Sequence, residues 1–130
     1  MEQNRRSPHI LVVEDDPLVR EMIVDILREA GFAAHEAGCA DEALRDLAKQ
    51  PGISAVVTDI DMPGTLDGIE LSWRIEELWP RIGVIVISGS ARAAQLPRAA
   101  QFLAKPFTAG RLLSSLTDLT GKPSMAYAPS

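Results

Sequence analysis

Six residues that carry carboxyl, hydroxyl or ammonium groups lie at or just after the ends of apolar runs in the chain. They are Glu14, Asp15, Asp59, Asp61, Ser88 and Lys105. Carboxylates held close together repel one another, and a hard divalent cation with oxygen ligands relieves that repulsion. Mg²⁺ commonly takes one or two carboxylates together with phosphate oxygens, while a nearby lysine and hydroxyl bind other oxygens of a phosphoryl group. If the fold brings the six residues together, they predict a magnesium-dependent phosphoryl site.

Taken one at a time, these residues have a simpler interpretation as loop or capping residues. A single acidic residue after a strand is more often a cap than a ligand, and Asp16 before Pro17 has the pattern of a helix N-cap. The charges of Arg20, Glu21, Arg28 and Glu29 are likewise expected on the solvated face of the helix that follows. The recurrence of such residues after four different apolar runs is what favours a site.

The segments that must position these residues alternate between apolar strands and amphipathic helices. Strands are predicted over residues 9–13, 32–36, 53–58, 83–87 and 101–104. Helices are predicted over residues 17–30, 40–49 and 68–79, with a short one over 91–96 and a last one striped by Leu112, Leu113, Leu116 and Leu119. This alternation predicts a parallel sheet with helices on both faces. In such a sheet the site lies at the carboxyl ends of the strands, where the strand order reverses.

Composition limits the classes of protein that fit. The chain has 130 residues, of which 46% are hydrophobic and 24% charged, as in one globular domain. Its net charge of −5 argues against a nucleic-acid partner. No apolar run approaches the roughly 20 residues that span a bilayer, and no leader pattern opens the chain. The single cysteine, Cys39, cannot form an internal disulfide. We therefore expect a cytoplasmic protein without a membrane or nucleic-acid partner.

The polar ends of the chain are expected to be tails. Residues 1–8 and 121–130 are the predicted tails, and residues 9–120 the predicted domain. The sequence contains no further segment that could be an output domain, so it is interpreted as a stand-alone module.

Four motifs, in this order along the chain, resemble the receiver domain of two-component response regulators. They are ILVVEDDPLVR (10–20), VVTDIDMPGTLDGIEL (56–71), VIVISGSA (84–91) and FLAKPF (102–107). The resemblance covers about residues 9–120 and is to stand-alone, chemotaxis-regulator-like receivers. It implies a flavodoxin-like (βα)5 doubly wound sandwich with a five-stranded parallel sheet of order 2-1-3-4-5.

The resemblance also implies a phosphoacceptor and a metal site. Asp59 matches the aspartate that accepts the phosphoryl group in this family. Asp15 would bind Mg²⁺, or alternatively Mn²⁺, directly, and Glu14 would act mainly through water. Asp59 itself and the backbone carbonyl of Asp61 would complete the protein ligands.

Three further residues match the positions that sense the phosphoryl group in the family. Ser88 matches the switch hydroxyl, and Lys105 the lysine that pairs with a phosphoryl oxygen. Phe102 matches an aromatic residue that rotates on activation. The Lys105–Pro106 peptide bond is expected to be cis, which X–Pro bonds tolerate. Only 17 positions separate Ser88 from Lys105, so the fourth helix should be short or irregular.

The implied function is phosphorylation-driven signalling. The donor would be a phosphohistidine on a sensor histidine kinase or a histidine phosphotransfer protein, and the acyl phosphate would later hydrolyse. Output would occur by contact with a downstream protein or by phosphorelay, so the chain is not expected to be an enzyme on other substrates. Two alternatives remain. Asp59-Ile60-Asp61 also resembles the Asp-x-Asp of haloacid-dehalogenase-type phosphatases, and a receiver that no longer takes phosphate would be a pure interaction module.

Overall fold

Five strands of four to seven residues form a single sheet in the computed structural model, which describes residues 7–62, 66–89 and 95–121. All pairings between neighbouring strands are parallel, and the order is β2-β1-β3-β4-β5. The strands are β1 (His9–Val13), β2 (Ala33–Ala37), β3 (Ile53–Asp59), β4 (Gly83–Ser88) and β5 (Gln101–Ala104). This topology confirms the predicted flavodoxin-like sheet and its order.

Four α-helices lie in the described part of the chain, and the first three begin at the predicted residues, while the last contains the predicted leucine stripe. They are α1 (Pro17–Glu29), α2 (Ala40–Lys49), α3 (Gly68–Leu78) and α4 (Ala109–Thr120). Asp16 caps α1, because its Oδ1 accepts a hydrogen bond from the Leu18 amide at 2.9 Å. Gly31 follows that helix with φ at +94°, a conformation that favours glycine. The capping pattern in the sequence therefore sets the ends of this helix.

The sheet separates two apolar cores. Alternate strand residues point to opposite faces, so α2 and α3 pack on one face and α1 and α4 on the other. The central strands β1, β3 and β4 are buried almost throughout, whereas β2 at the edge is mostly half-buried. This explains why the central strands are continuous apolar runs and β2 is not.

The predicted ends of two strands differ from the observed ones at residues of the predicted site. β3 includes Asp59 and β4 includes Ser88, one residue beyond each predicted strand, and β2 is shifted by one residue. The polar residues extend the ladder because backbone pairing, not side-chain type, decides where a strand ends. Of the predicted short fourth helix, residues 91–94 lie outside the described residues. Residues 1–6 and 122–130 of the predicted tails also lie outside them. None of the described helices has the length and apolar composition needed to cross a bilayer.

Candidate functional site

Asp59 lies at the carboxyl end of the central strand β3, and only 7% of its surface is exposed. Its Oδ2 accepts a hydrogen bond from Nζ of Lys105 at 2.9 Å. Its Oδ1 accepts one from the backbone amide of Asp61 at 3.1 Å. The carboxylate is thus held in a fixed orientation by two donors at the edge where the strand order reverses.

Lys105 follows β5 and reaches across to β3. Its backbone amide donates to the carbonyl of Ser88 at 2.9 Å, which ties the end of β5 to the end of β4. The Lys105–Pro106 peptide bond is cis, as the resemblance implied. Partial burial lowers the pKa of the lysine, but the hydrogen bond and charge of Asp59, with the charges of Glu14 and Asp61, raise it above its ordinary value. Lys105 is therefore a cation that the carboxylates hold in place.

Glu14 and Asp15 complete the acidic side of the site at the end of β1. Burial raises the pKa of the Glu14 carboxyl to about 7, against the hydrogen bond from the Asp16 backbone amide, which lowers it. Hydrogen bonding to the Asp15 and Asp59 side chains and the charge of Asp59 raise the pKa of Glu14 further. The Glu14 carboxyl therefore lies close to two other carboxyl groups, as the sequence predicted.

Ser88 and Phe102 lie on the strands next to Asp59. Ile87 pairs with Asp59 in the register of β3 and β4, so Ser88 lies one residue beyond it and is fully buried. Phe102 pairs with Val86, two residues before the position opposite Ser88, and packs half-buried against the core on the α2–α3 face. The two predicted switch residues therefore share one face of adjacent strands. We refer to Glu14, Asp15, Asp59, Asp61, Ser88 and Lys105 as the strand-end cluster.

The acidic residues of the cluster fit a magnesium ion by donor type and charge. They offer hard carboxylate oxygens, and a cation would relieve the repulsion between neighbouring carboxylates. Within the described residues, no three acidic, histidine or cysteine side chains already enclose a cation position. Mg²⁺ bound by one or two carboxylates usually keeps several waters or takes phosphate oxygens for its other positions. Asp15 and Asp59, with Glu14 and the Asp61 carbonyl, are the residues that would hold it.

Gly68 is a site residue that the sequence analysis did not identify. A Cβ atom at this position would lie 2.2 Å from the carbonyl oxygen of Asp59 and 2.8 Å from Cα of Ile60. The Gly68 amide donates to the Ile60 carbonyl at 3.0 Å, so α3 begins against the backbone that follows Asp59. The signal in the sequence was a glycine directly after the capping residue Asp67. Only glycine permits this close approach of helix and strand.

The expectation of a solvated helix face is confirmed for Glu21, Arg28 and Glu29, which are exposed, but Arg20 is half-buried. Nη1 of Arg20 donates to the backbone carbonyl of Glu14 at 2.7 Å, and its Nε pairs with Glu36 of β2 at 3.0 Å. Nη2 of Arg28 donates to the carbonyl of Ala34 at 3.1 Å. Arg20 thus folds back onto the end of β1, whereas Arg28 stays exposed and bonds to the backbone of the edge strand β2. Arg20 therefore anchors the backbone that presents the acidic pair.

Comparison with known proteins points in the same direction as the geometry. The family profile of the response regulator receiver domain matches residues 10–117. The nitrogen assimilation regulatory protein NtrX of Azorhizobium caulinodans is 37% identical over 111 residues, covering 80% of this chain and 24% of NtrX. The response regulator receiver protein CpdR of Brucella abortus is 35% identical over 115 residues, covering 85% of this chain and 94% of CpdR. The chain thus spans about a quarter of NtrX and nearly all of CpdR.

A similar fold occurs in a solved structure with a bound metal. The response regulator TrrA of Thermotoga maritima, crystallised in complex with Mg²⁺ and BeF, superposes with a TM-score of 0.79 at 28% identity. The match covers 86% of this chain and 98% of that one. The family profile itself runs from β1 into α4, so it includes every residue of the strand-end cluster.

Proposed function

The chain belongs to the response regulator receiver family, and on that premise we propose that Asp59 accepts a phosphoryl group from a phosphohistidine of a partner protein. The observation that carries the proposal is the contact between Asp59 and Lys105. The carboxylate is buried and oriented at the carboxyl edge of the sheet, and its bound ammonium group lies 2.9 Å away. A nucleophilic carboxylate paired with a cation suits phosphoryl transfer, because the cation can stabilise charge on the phosphoryl oxygens.

The reaction moves one phosphoryl group between two side chains. An Oδ atom of Asp59 attacks phosphorus, the phosphorus–nitrogen bond breaks, and its electron pair stays on the donor imidazole. Lys105 binds a phosphoryl oxygen and compensates charge that develops on it. When bound at Asp15 and Asp59, Mg²⁺ would supply positive charge that lets the two anionic reactants approach. Water later hydrolyses the acyl phosphate, so the domain acts only on itself and is not an enzyme on other substrates.

Signalling follows from the added charge. A phosphoryl group contributes about −1.5 to −2 charges and new acceptor oxygens at a site that is already acidic. Ser88 donates a hydrogen bond to one of those oxygens, and Phe102, two strand positions earlier on the neighbouring strand, turns inward behind it. The bond between the Lys105 amide and the Ser88 carbonyl links the two strand ends that respond. The phosphoryl group thereby selects one of two arrangements of these strand ends.

The donor is a sensor histidine kinase or a histidine phosphotransfer protein in the cytoplasm. Leu18 and Met22 are 78% and 49% exposed, one turn apart on α1, and the helix begins beside the acidic pair. Exposed apolar side chains next to a site favour a protein donor over a small molecule. The downstream signal passes by protein–protein contact or by return of the phosphoryl group to a histidine.

The proposal is tested by intact mass after incubation with acetyl phosphate. We expect one labile adduct with the mass of a phosphoryl group in the presence of Mg²⁺, and none when the metal is chelated. Steady hydrolysis of a generic phosphomonoester would instead support a phosphatase. No adduct, together with no Mg²⁺ binding in a calorimetric titration, would support a pure interaction module. Either result would overturn the proposal.

A further inference from the structure

The exposed side of α3 carries a half-exposed tryptophan in a shallow acidic groove. Trp73 is 50% exposed, and the groove is lined by Trp73, Glu70, Arg74, Glu76 and Glu77, which we call the Trp73 face. The three glutamates stand three residues before, three after and four after Trp73, so the helix brings all of them beside the indole ring. The proposed phosphoryl chemistry uses none of these side chains.

A hydrogen bond fixes the ring of Trp73. Its Nε1–H donates to the backbone carbonyl of Gln95 at 2.8 Å, which ties α3 to the segment that follows β4. One edge of the indole is therefore satisfied while half of its surface faces solvent. A partner that stacks on this ring meets an ordered side chain and loses little rotamer entropy there. Ordered tryptophans of this kind are enriched among residues that dominate binding energy in interfaces.

The Trp73 face carries a net negative charge. Three carboxylates face one guanidinium group, that of Arg74. In the part of the chain that the structure describes, neither these carboxylates nor Arg74 form an ion pair. A cation on the face of tryptophan is the strongest of the cation–π pairs. The aromatic ring and the carboxylates therefore favour the same kind of ligand, a side chain with a positive charge.

We propose that the Trp73 face docks a basic segment of a partner protein, with an arginine stacked on Trp73 and bonded to the flanking glutamates. Arginine suits this site better than lysine, because its planar group stacks on an aromatic ring and binds carboxylates with paired hydrogen bonds. Nucleic acids and anionic membranes would be repelled by the same carboxylates. A second copy of this chain is disfavoured, because each copy carries a net charge of −5.

The test uses a short capped peptide of alternating arginine and alanine, titrated at low salt into the ¹⁵N-labelled protein. The readout is the indole N–H resonance of Trp73, which the Trp79→Phe variant distinguishes from that of Trp79. We expect a saturable shift of the Trp73 signal, and weaker binding when lysine replaces arginine in the peptide. Trp73→Leu, in which binding is followed by the backbone amide resonances of α3, should weaken binding of the arginine peptide roughly two- to fivefold, the range expected for one exposed cation–π contact.

A matched pair of variants separates this face from general attraction to an acidic protein. Glu70→Gln with Glu77→Gln removes two charges from the Trp73 face, and Glu21→Gln with Glu29→Gln removes two exposed charges from α1. Only the first pair should weaken peptide binding. Equal weakening by both pairs, or a shift confined to Trp79, would overturn the proposal. So would a dimer in sedimentation that the Glu70 and Glu77 changes abolish, because that result would assign the face to a second copy.

Discussion

Both carboxylate oxygens of Asp59 have hydrogen-bond donors, and backbone contacts position the loop that supplies one of them. The Asp61 amide lies in the segment that Gly68 closes over, since the Gly68 amide binds the Ile60 carbonyl. The position of the Asp59 carboxylate therefore depends on Gly68, a residue that has no reactive side chain. A side chain at that position would displace either α3 or the end of β3.

We expect Gly68→Ala to lower the free energy of unfolding by about 1–3 kcal/mol, the usual range for forced overpacking. The added methyl would lie 2.2 Å from the Asp59 carbonyl oxygen, so phosphorylation by acetyl phosphate should slow as well. Urea unfolding and intact mass measure the two effects. Gly52→Ala is the control, because a Cβ there meets nothing within 4 Å. Equal stability of the two variants would contradict this account.

His9 and His35 form a pair whose bond depends on protonation. Nδ1 of His9 lies 2.9 Å from Nε2 of His35, with the ring planes 19° apart. One nitrogen must donate and the other accept, so two imidazolium rings cannot form this bond. Partial burial lowers the pKa of His35 from its ordinary 6.5, and the charges of His9 and Arg28 lower it further. The unfolded chain therefore binds this proton more readily than the folded one.

Stability conferred by the histidine pair should be present above the ordinary pKa of 6.5 and lost as the pH falls through the lower folded value. Between about pH 7.5 and about pH 5.5, wild type should lose more unfolding free energy than His35→Gln. The raised pKa of Glu14 acts in the opposite direction, but it is common to both proteins and cancels in the comparison. His9→Gln should lie between wild type and His35→Gln, because burial still lowers the pKa of His35 when the charge of His9 is removed. Parallel pH profiles for all three proteins would refute the idea.

At the scale of elements, α1 combines two functions. Its inner face packs against the sheet through Ile23, Val24 and Leu27, while Leu18 and Met22 stay exposed beside the site. If the phosphohistidine protein docks on these two side chains, Leu18→Ser with Met22→Ser should slow phosphoryl transfer from that protein about tenfold. This corresponds to about 1.4 kcal/mol.

Labelling of that α1 variant by acetyl phosphate should remain at the wild-type rate, because the strand-end cluster is unchanged. Leu78→Ser is the control, since Leu78 is an exposed apolar residue on a different helix. Equal slowing with both donors would show that the substitutions disturb the site and not a docking surface. Comparison of the two rates by intact mass is the measurement.

The hydrogen bond between Trp73 of α3 and the segment after β4 should make the indole resonance of Trp73 sensitive to phosphorylation. Trp73 donates to the carbonyl of Gln95, seven residues beyond Ser88. When the proposed switch moves the end of β4, the indole environment changes. We expect Mg²⁺ with beryllofluoride to shift the Trp73 indole resonance more than that of Trp79. Asp59→Asn should abolish the shift, and an equal shift in that variant would contradict the link.

At the scale of the whole molecule, the sequence predicted the sheet, its flanking helices and the edge that carries the polar residues. Apolar runs and helix caps are local signals, which is why α1 begins where Asp16 and Pro17 predict. The strand order came from family resemblance, because periodicity does not specify which strands are neighbours. Two contacts across turns were missed because periodicity and caps do not specify them. They are the bond from Arg20 to the Glu14 carbonyl and the close approach of Gly68 to Asp59.

The proposal that Asp59 is the phosphoacceptor is tested by finding which residue carries the phosphoryl group. Wild type, Asp59→Asn and Asp61→Asn would each be incubated with acetyl phosphate and Mg²⁺ and weighed by intact-mass spectrometry. Asp61→Asn is the matched control, because it removes a neighbouring carboxylate but keeps the backbone carbonyl. We expect one adduct on wild type and on Asp61→Asn, and none on Asp59→Asn. An adduct on Asp59→Asn as abundant as that on wild type would contradict the assignment of Asp59 as the phosphoacceptor.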